Sequence, residues 1–173
     1  MKKIVTVLAL AATMVTCPVA ASATPTVPTC DIAGYLATEL PKLGENPANW
    51  TIIQLDLGPG FVGEASLDYK TPVAQISPTV ATHCDRLPSA VMHEHLHLEQ
   101  ARFFAPNDAV KAYRGNVEIV ADCASLYAGS TYHPYVDRAP AGTCSTPNID
   151  GPARGLLRFS NDRINATLLS DRM

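Results

Sequence analysis

The chain has 173 residues, 47% hydrophobic and 17% charged, with a formal charge of −3. It is long enough to bury a core of its own and too apolar for a disordered segment. Its mild acidity argues against a nucleic-acid partner or an anionic membrane surface.

Residues 1–23 carry the pattern of a secretory signal. Lys2 and Lys3 form a basic start, Ile4 to Val15 is mostly apolar, and Ala21-Ser22-Ala23 fits a small-x-small cleavage rule. The segment is too short for a transmembrane helix, and Thr16 before Cys17 suits a lipid-anchor site poorly. No later stretch is long and apolar enough to span a bilayer, so no membrane anchor is expected. The expected destination is the periplasm or the secreted fraction. Loss of the signal leaves 11 basic against 16 acidic residues, a charge of −5. It also leaves Cys30, Cys84, Cys123 and Cys144. An even count in an exported chain reads as two disulfides. Three connectivities are open, of which Cys30–Cys84 with Cys123–Cys144 is favoured.

Residues 24–173 read as a single domain of α+β class. Asp31 to Leu40 has apolar Ile32, Tyr35, Leu36 and Leu40 at helical spacing, ahead of Pro41. Trp50 to Leu57 is rich in β-branched residues and stops at Gly58-Pro59-Gly60, the mark of a strand. Gly63 to Tyr69 and Val73 to Ile76 read as two more strands, joined by a turn near Lys70-Thr71-Pro72. The three are expected to form a small antiparallel sheet. Helix signals then take over: Pro88 and Ser89 start a helix that runs to Phe104 before Pro106. Asp108 to Tyr113 adds a turn. Val117 to Tyr127 is a second helix closed by Gly129. Ser130 to Gly151 reads as loop, and Ala153 to Leu169 as a final helix.

The sequence His93-Glu94-His95-Leu96-His97 falls inside the predicted helix. On a strand the three histidines would share a face; on a helix only His93 and His97, one turn apart, converge. His95 then points elsewhere and reads as an exposed or core-edge histidine, and Glu99 as a solvated carboxylate. What remains is HExxH, in which two imidazoles can occupy two corners of a tetrahedral Zn²⁺ site. Glu94 lies beside the first ligand, placed to take a proton from a water rather than to bind the ion. Catalytic zinc usually keeps three protein ligands. Twenty-one residues beyond His97 the next helix carries Glu118 and Asp122, also one turn apart.

This HExxH…ExxxD arrangement resembles the gluzincin metallopeptidases. The stretch VEIVADCASLYAG is also similar to small secreted bacterial gluzincin-like proteins, in which Ala-Asp-Cys-Ala follows the ligand Glu. The resemblance covers Leu87 to about Tyr135. It implies a minimal zincin-like domain, with Zn²⁺ held by His93, His97 and Glu118, and with Asp122 orienting His93. It implies hydrolysis of a peptide or protein substrate with Glu94 as the base. An oxyanion donor is also needed. Tyr127, Tyr132, His133 and Tyr135 are available, with His133 and Tyr132 ranked first as catalytic residues. The metzincin pattern fails because Gln100 and Phe103 stand where Gly and His are required. A chain this short implies a shallow cleft, or one completed by a partner. The competing expectation is a zinc-binding or protein-interaction module that retains the site without catalysis. The histidines must be neutral to bind metal, so affinity is expected to fall below about pH 6.

Overall fold

The computed structural model describes residues 29–53, 63–66, 73–104 and 108–170. The signal segment and the turn at residues 70–72 lie outside them, as do the outer parts of the first two expected strands. Among the described residues no helix is long and apolar enough to cross a membrane.

Helix α1 (Ile32–Glu39) is capped by Asp31, whose carboxylate accepts the Gly34 N–H at 2.9 Å. Strands β1 (Trp50–Ile52), β2 (Gly63–Ala65) and β3 (Ala74–Ile76) form one sheet in the order β1-β3-β2. β2 and β3 are antiparallel, as expected, but β1 and β3 are parallel, so the sheet is mixed. A parallel pair needs a connection of a dozen or more residues. The chain between Ile52 and Ala74 supplies it and includes β2 on the way. Side-chain alternation gives each strand's faces but not its partner or direction, which is why the sequence pattern suggested an all-antiparallel sheet. The row Trp50, Ala74, Ile76, Gly63 and Ala65 shares one face, and Ala74 and Ile76 are fully buried.

Helix α2 (Leu87–Phe103) starts two residues before the expected Ser89. Ser89 does not cap it; its hydroxyl instead accepts the N–H groups of Thr131 and Tyr132 at 3.0 and 3.2 Å. Beyond it come the short α3 (Asp108–Ala112) and α4 (Val117–Tyr127), the latter with the expected bounds. Gly129, at φ +94°, ends this stretch in a conformation that side chains rarely adopt. The final helix α5 (Pro147–Ser170) begins six residues before the expected Ala153. Gly151-Pro152 reads as a loop because the residue before proline avoids the α region. Gly151 has no Cβ to meet the proline ring, so the helix continues through it.

Two apolar clusters flank α2. One joins Ile32, Leu36, Trp50, Ile76, Val91 and Leu98 from α1, the sheet and α2. The other joins Leu96, Val120, Ala124, Ile149 and Leu156 from α2, α4 and α5. A disulfide between Cys123 and Cys144 ties α4 to the turn before α5. Cys30 and Cys84 are not joined, although both sulfurs approach the Ala81 carbonyl, at 3.5 and 3.4 Å. With a layer on each side, α2 is buried on nearly its whole circumference. A central helix is normally apolar all round. This one holds histidines, glutamates and a glutamine, so each needs an internal partner.

Candidate metal centre

Helical periodicity sends the polar residues of α2 to two separate clusters. His93, Glu94 and His97 face β2 and α4, whereas His95 and Glu99 face α5 and the chain after α1.

On the first face three donor atoms converge. His93 Nε2 lies 3.0 Å from His97 Nε2 and 3.2 Å from Glu118 Oε2, and His97 Nε2 lies 3.0 Å from the same oxygen. Two donors at about 2.05 Å from a tetrahedral zinc would be separated by about 3.3 Å. The observed triangle is slightly tighter and fits such an ion.

Both imidazoles are aimed from behind. His97 Nδ1–H donates to Gln100 Oε1 at 2.7 Å, and Gln100 Nε2 donates to the Val117 carbonyl at 2.9 Å. The amide is thereby fixed with its oxygen toward His97, which leaves His97 Nε2 as the free lone pair. His93 Nδ1 lies 2.7 Å from Asp122 Oδ1. The other Asp122 oxygen accepts the N–H groups of Tyr135 and Val136, at 2.7 and 3.0 Å. Asp122 is fully buried, so this carboxylate both orients the imidazole and pins the segment after α4.

The electrostatics follow from burial against charge. Burial opposes a charged His93, but Asp122 and Glu118 outweigh it and raise the imidazole to about 10. Burial would likewise raise Glu118, yet hydrogen bonds from His93 and His97 overcome it and hold the carboxyl well below the usual range. Glu94 goes the other way. It is buried, its Oε2 has no hydrogen-bond partner among the described residues, and burial pushes its carboxyl up against the opposing pull of the two imidazoles. An unpartnered buried carboxylate is costly to hold and is a common mark of a functional group.

Glu94 opens onto a cavity of about 160 Å³ lined by Glu64, Ala65, His93, Glu94, His97, Glu118 and Tyr135. Tyr132 and His133, ranked first for oxyanion binding, are not on this wall. The Tyr132 ring lies under the Arg86 guanidinium at 4.9 Å. His133 Nε2 donates to the Ser130 carbonyl at 2.8 Å. The nearby phenol is Tyr135, whose ring stacks parallel on His93 at 5.6 Å. Burial and the adjacent Glu118 carboxylate hold its hydroxyl protonated well above the usual tyrosine range. The chain turns over residues 134–138, which brings the Tyr135 ring, rather than the side chains of Tyr132 or His133, against His93. Spacing from Glu118 carried no signal for that. Gln100 was also missed, although its position three residues beyond His97 on the same helix was available.

The second cluster corrects the expectation for His95 and Glu99. Neither is exposed or at the core edge: both are fully buried. His95 bridges Glu45 at 2.8 Å and the Ser160 hydroxyl at 2.8 Å. Glu45 accepts from Arg102 Nη2 at 2.7 Å, and Glu99 accepts from Arg102 Nη1 at 2.8 Å and from Arg163 Nε at 2.6 Å. Glu45, His95 and Glu99 also form a three-donor group. Here, however, two guanidinium groups already supply the positive charge and the hydrogen bonds. It is a buried ion network joining the chain after α1 to α2 and α5, and it has no need of a metal. Among the described residues the first cluster contains no arginine or lysine, and its donors are directed at one another.

No protein-family model, curated protein or solved structure matches this chain. The functional reading therefore rests on the site itself.

Proposed function

We propose that the protein is an exported, zinc-dependent peptidase with a zincin-like active site. The observation that carries this is the convergence of His93 Nε2, His97 Nε2 and Glu118 Oε2 beside the buried Glu94 carboxylate, whose Oε2 has no hydrogen-bond partner among the described residues. Zinc, when held by these three residues, would lower the pKa of a water to near 7 and polarise a substrate carbonyl.

The chain's own groups perform the rest. Glu94 takes a proton from the attacking water as the new C–O bond forms. It then delivers that proton to the amine as the C–N bond breaks. Its raised carboxyl suits a group that must hold a proton between the two steps. Tyr135 lines the cavity, and its protonated hydroxyl, which is hydrogen-bonded to Glu118, is the donor we assign to the developing oxyanion. Asp122 and Gln100 keep the imidazoles aimed. β2 lies at the edge of the sheet along the cavity, which suits an extended peptide pairing as an added strand.

Glu94→Gln is the direct test. It preserves shape and removes the proton carrier, so one zinc per chain should remain while hydrolysis of a broad peptide library disappears. Wild-type protein that holds zinc and cleaves no member of the library would favour the non-catalytic module instead.

A further inference from the structure

The wall of the cavity beside Glu94 includes a further acidic residue, Glu64. Glu64 is the middle residue of β2 and is exposed. It lines the 160 Å³ cavity, and it also lines an adjoining one of about 220 Å³ with Ser66, Val73 and Gln75. Strand register explains the double position. Glu64 pairs with Gln75, so these two and their neighbours Ser66 and Val73 point away from α2, while Gly63 and Ala65 point toward it. Glu64 is shared by the walls of the two cavities, one residue from the Gly63 that abuts Glu94.

Charge decides what such a site admits. Among the described residues no lysine or arginine lines either cavity. Three acidic residues, Glu64, Glu94 and Glu118, line the cavity, with Asp122 behind His93. Even a bound divalent ion leaves this group of four carboxylates with excess negative charge. An acidic substrate group entering here meets like charge in a partly desolvated cleft, and a cationic one meets a carboxylate whose strand partner is neutral.

We infer that Glu64 makes the cleft selective for substrates carrying an ammonium or guanidinium group within about two residues of the cleaved bond, the reach set by a strand rise of about 3.3 Å per residue. The placement relative to a cleaved bond rests on the peptidase reading; the preference for a cation does not. The ammonium could be a lysine side chain or the peptide's own N-terminus, since the chemistry recognised is the same.

The test uses zinc-loaded full-length mature protein as wild type, Glu64→Gln and Glu64→Lys. Matched peptides carry Lys, Arg or Glu at each position around one cleavable bond, with a free or an acetylated N-terminus. In parallel, calorimetry measures binding of the Lys and Glu peptides to Glu94→Gln and to Glu94→Gln/Glu64→Gln. Wild type is expected to favour basic over acidic peptides by about tenfold in kcat/KM. Glu64→Gln should bring that ratio close to one and Glu64→Lys should invert it, with zinc content unchanged. The same ratio should appear in the binding constants. Loss of the preference on acetylation assigns the cation to the N-terminus; its survival assigns it to a side chain. If no peptide is cleaved but binding still shows a Glu64-dependent cation preference, the peptidase reading falls and this inference stands. A basic-to-acidic ratio that Glu64→Gln leaves unchanged, in both turnover and binding, overturns it.

Discussion

Gly63→Ala tests whether the fold, and not only the motif, sets the catalytic geometry. A Cβ built at Gly63 would lie 2.5 Å from Glu94 Oε1, 2.7 Å from Cγ and 2.8 Å from Cδ. Ordinary contact begins at about 3.4 Å, so relief requires a shift of about 0.6 to 0.9 Å. The backbone of α2 has little freedom to yield, because apolar clusters pack on both of its sides. Either the Glu94 carboxylate turns away, or the edge strand β2 moves outward and opens the cavity. Misplacement by about 1 Å can cost on the order of a hundredfold in rate, and the overpacking itself about 1–3 kcal/mol of stability. All three nearest atoms belong to Glu94, so the convergent ligand atoms should be undisturbed. The expected result is one zinc per chain, a modest fall in Tm and a roughly hundredfold loss in kcat. Zinc content, thermal unfolding and turnover of a quenched fluorescent peptide measure the three quantities. Gly155→Ala on α5, where an added Cβ meets nothing within 4 Å, is the control and should leave activity intact. Wild-type turnover in Gly63→Ala would refute the claim that this close approach positions the base.

Three further outcomes follow from the electrostatics and from the cavity wall. His93 is held near 10 without metal, so zinc must displace its proton at neutral pH; affinity should rise about tenfold per unit from pH 6 to 8, which moves the expected loss upward from below about pH 6. Calorimetry in buffers of different ionisation enthalpy should detect about one proton released at pH 7.5, and pH-independent affinity over that range would contradict the arrangement. Burial opposes ionisation of Glu45, yet hydrogen bonds from Arg102 and His95 lower it from 4.5 to about 2. A depressed carboxyl contributes stability above its unfolded pKa and loses it as pH falls through the folded value. Urea unfolding should therefore show about 3 kcal/mol lost between pH 5 and pH 2, and Glu45→Gln should lose much less over that window. Tyr135→Phe should retain zinc and lower kcat about a hundredfold, whereas Tyr132→Phe and His133→Ala should stay within a few-fold of wild type; equal losses in all three would reject the assignment to Tyr135.

Much of the site was legible because helical period is a local property. Once Pro88, Ser89 and Pro106 marked a helix, His93 and His97 had to share a face and His95 had to leave it. The same period set Glu118 and Asp122 on one face of the next helix. His95 and Glu99 were misjudged because polarity was taken as a sign of exposure. Their partners Glu45, Ser160 and Arg163 lie 50 to 65 residues away in sequence, at separations no local pattern reports. Sheet direction was missed for a related reason: alternation reports faces, whereas pairing depends on how the chain returns.

The sequence alone determined the α+β class, helices close to residues 89–104 and 117–127, and the spacing that lets two histidines and a glutamate meet. These follow from backbone period and from start and stop residues, which act over a few positions. Only the tertiary structure decided that α2 is buried on nearly all sides, that Gln100 fixes the second imidazole and that Tyr135 faces the cavity. It also decided that Gly63 leaves room for Glu94. Each depends on which elements pack together, and so on contacts between residues distant in the chain.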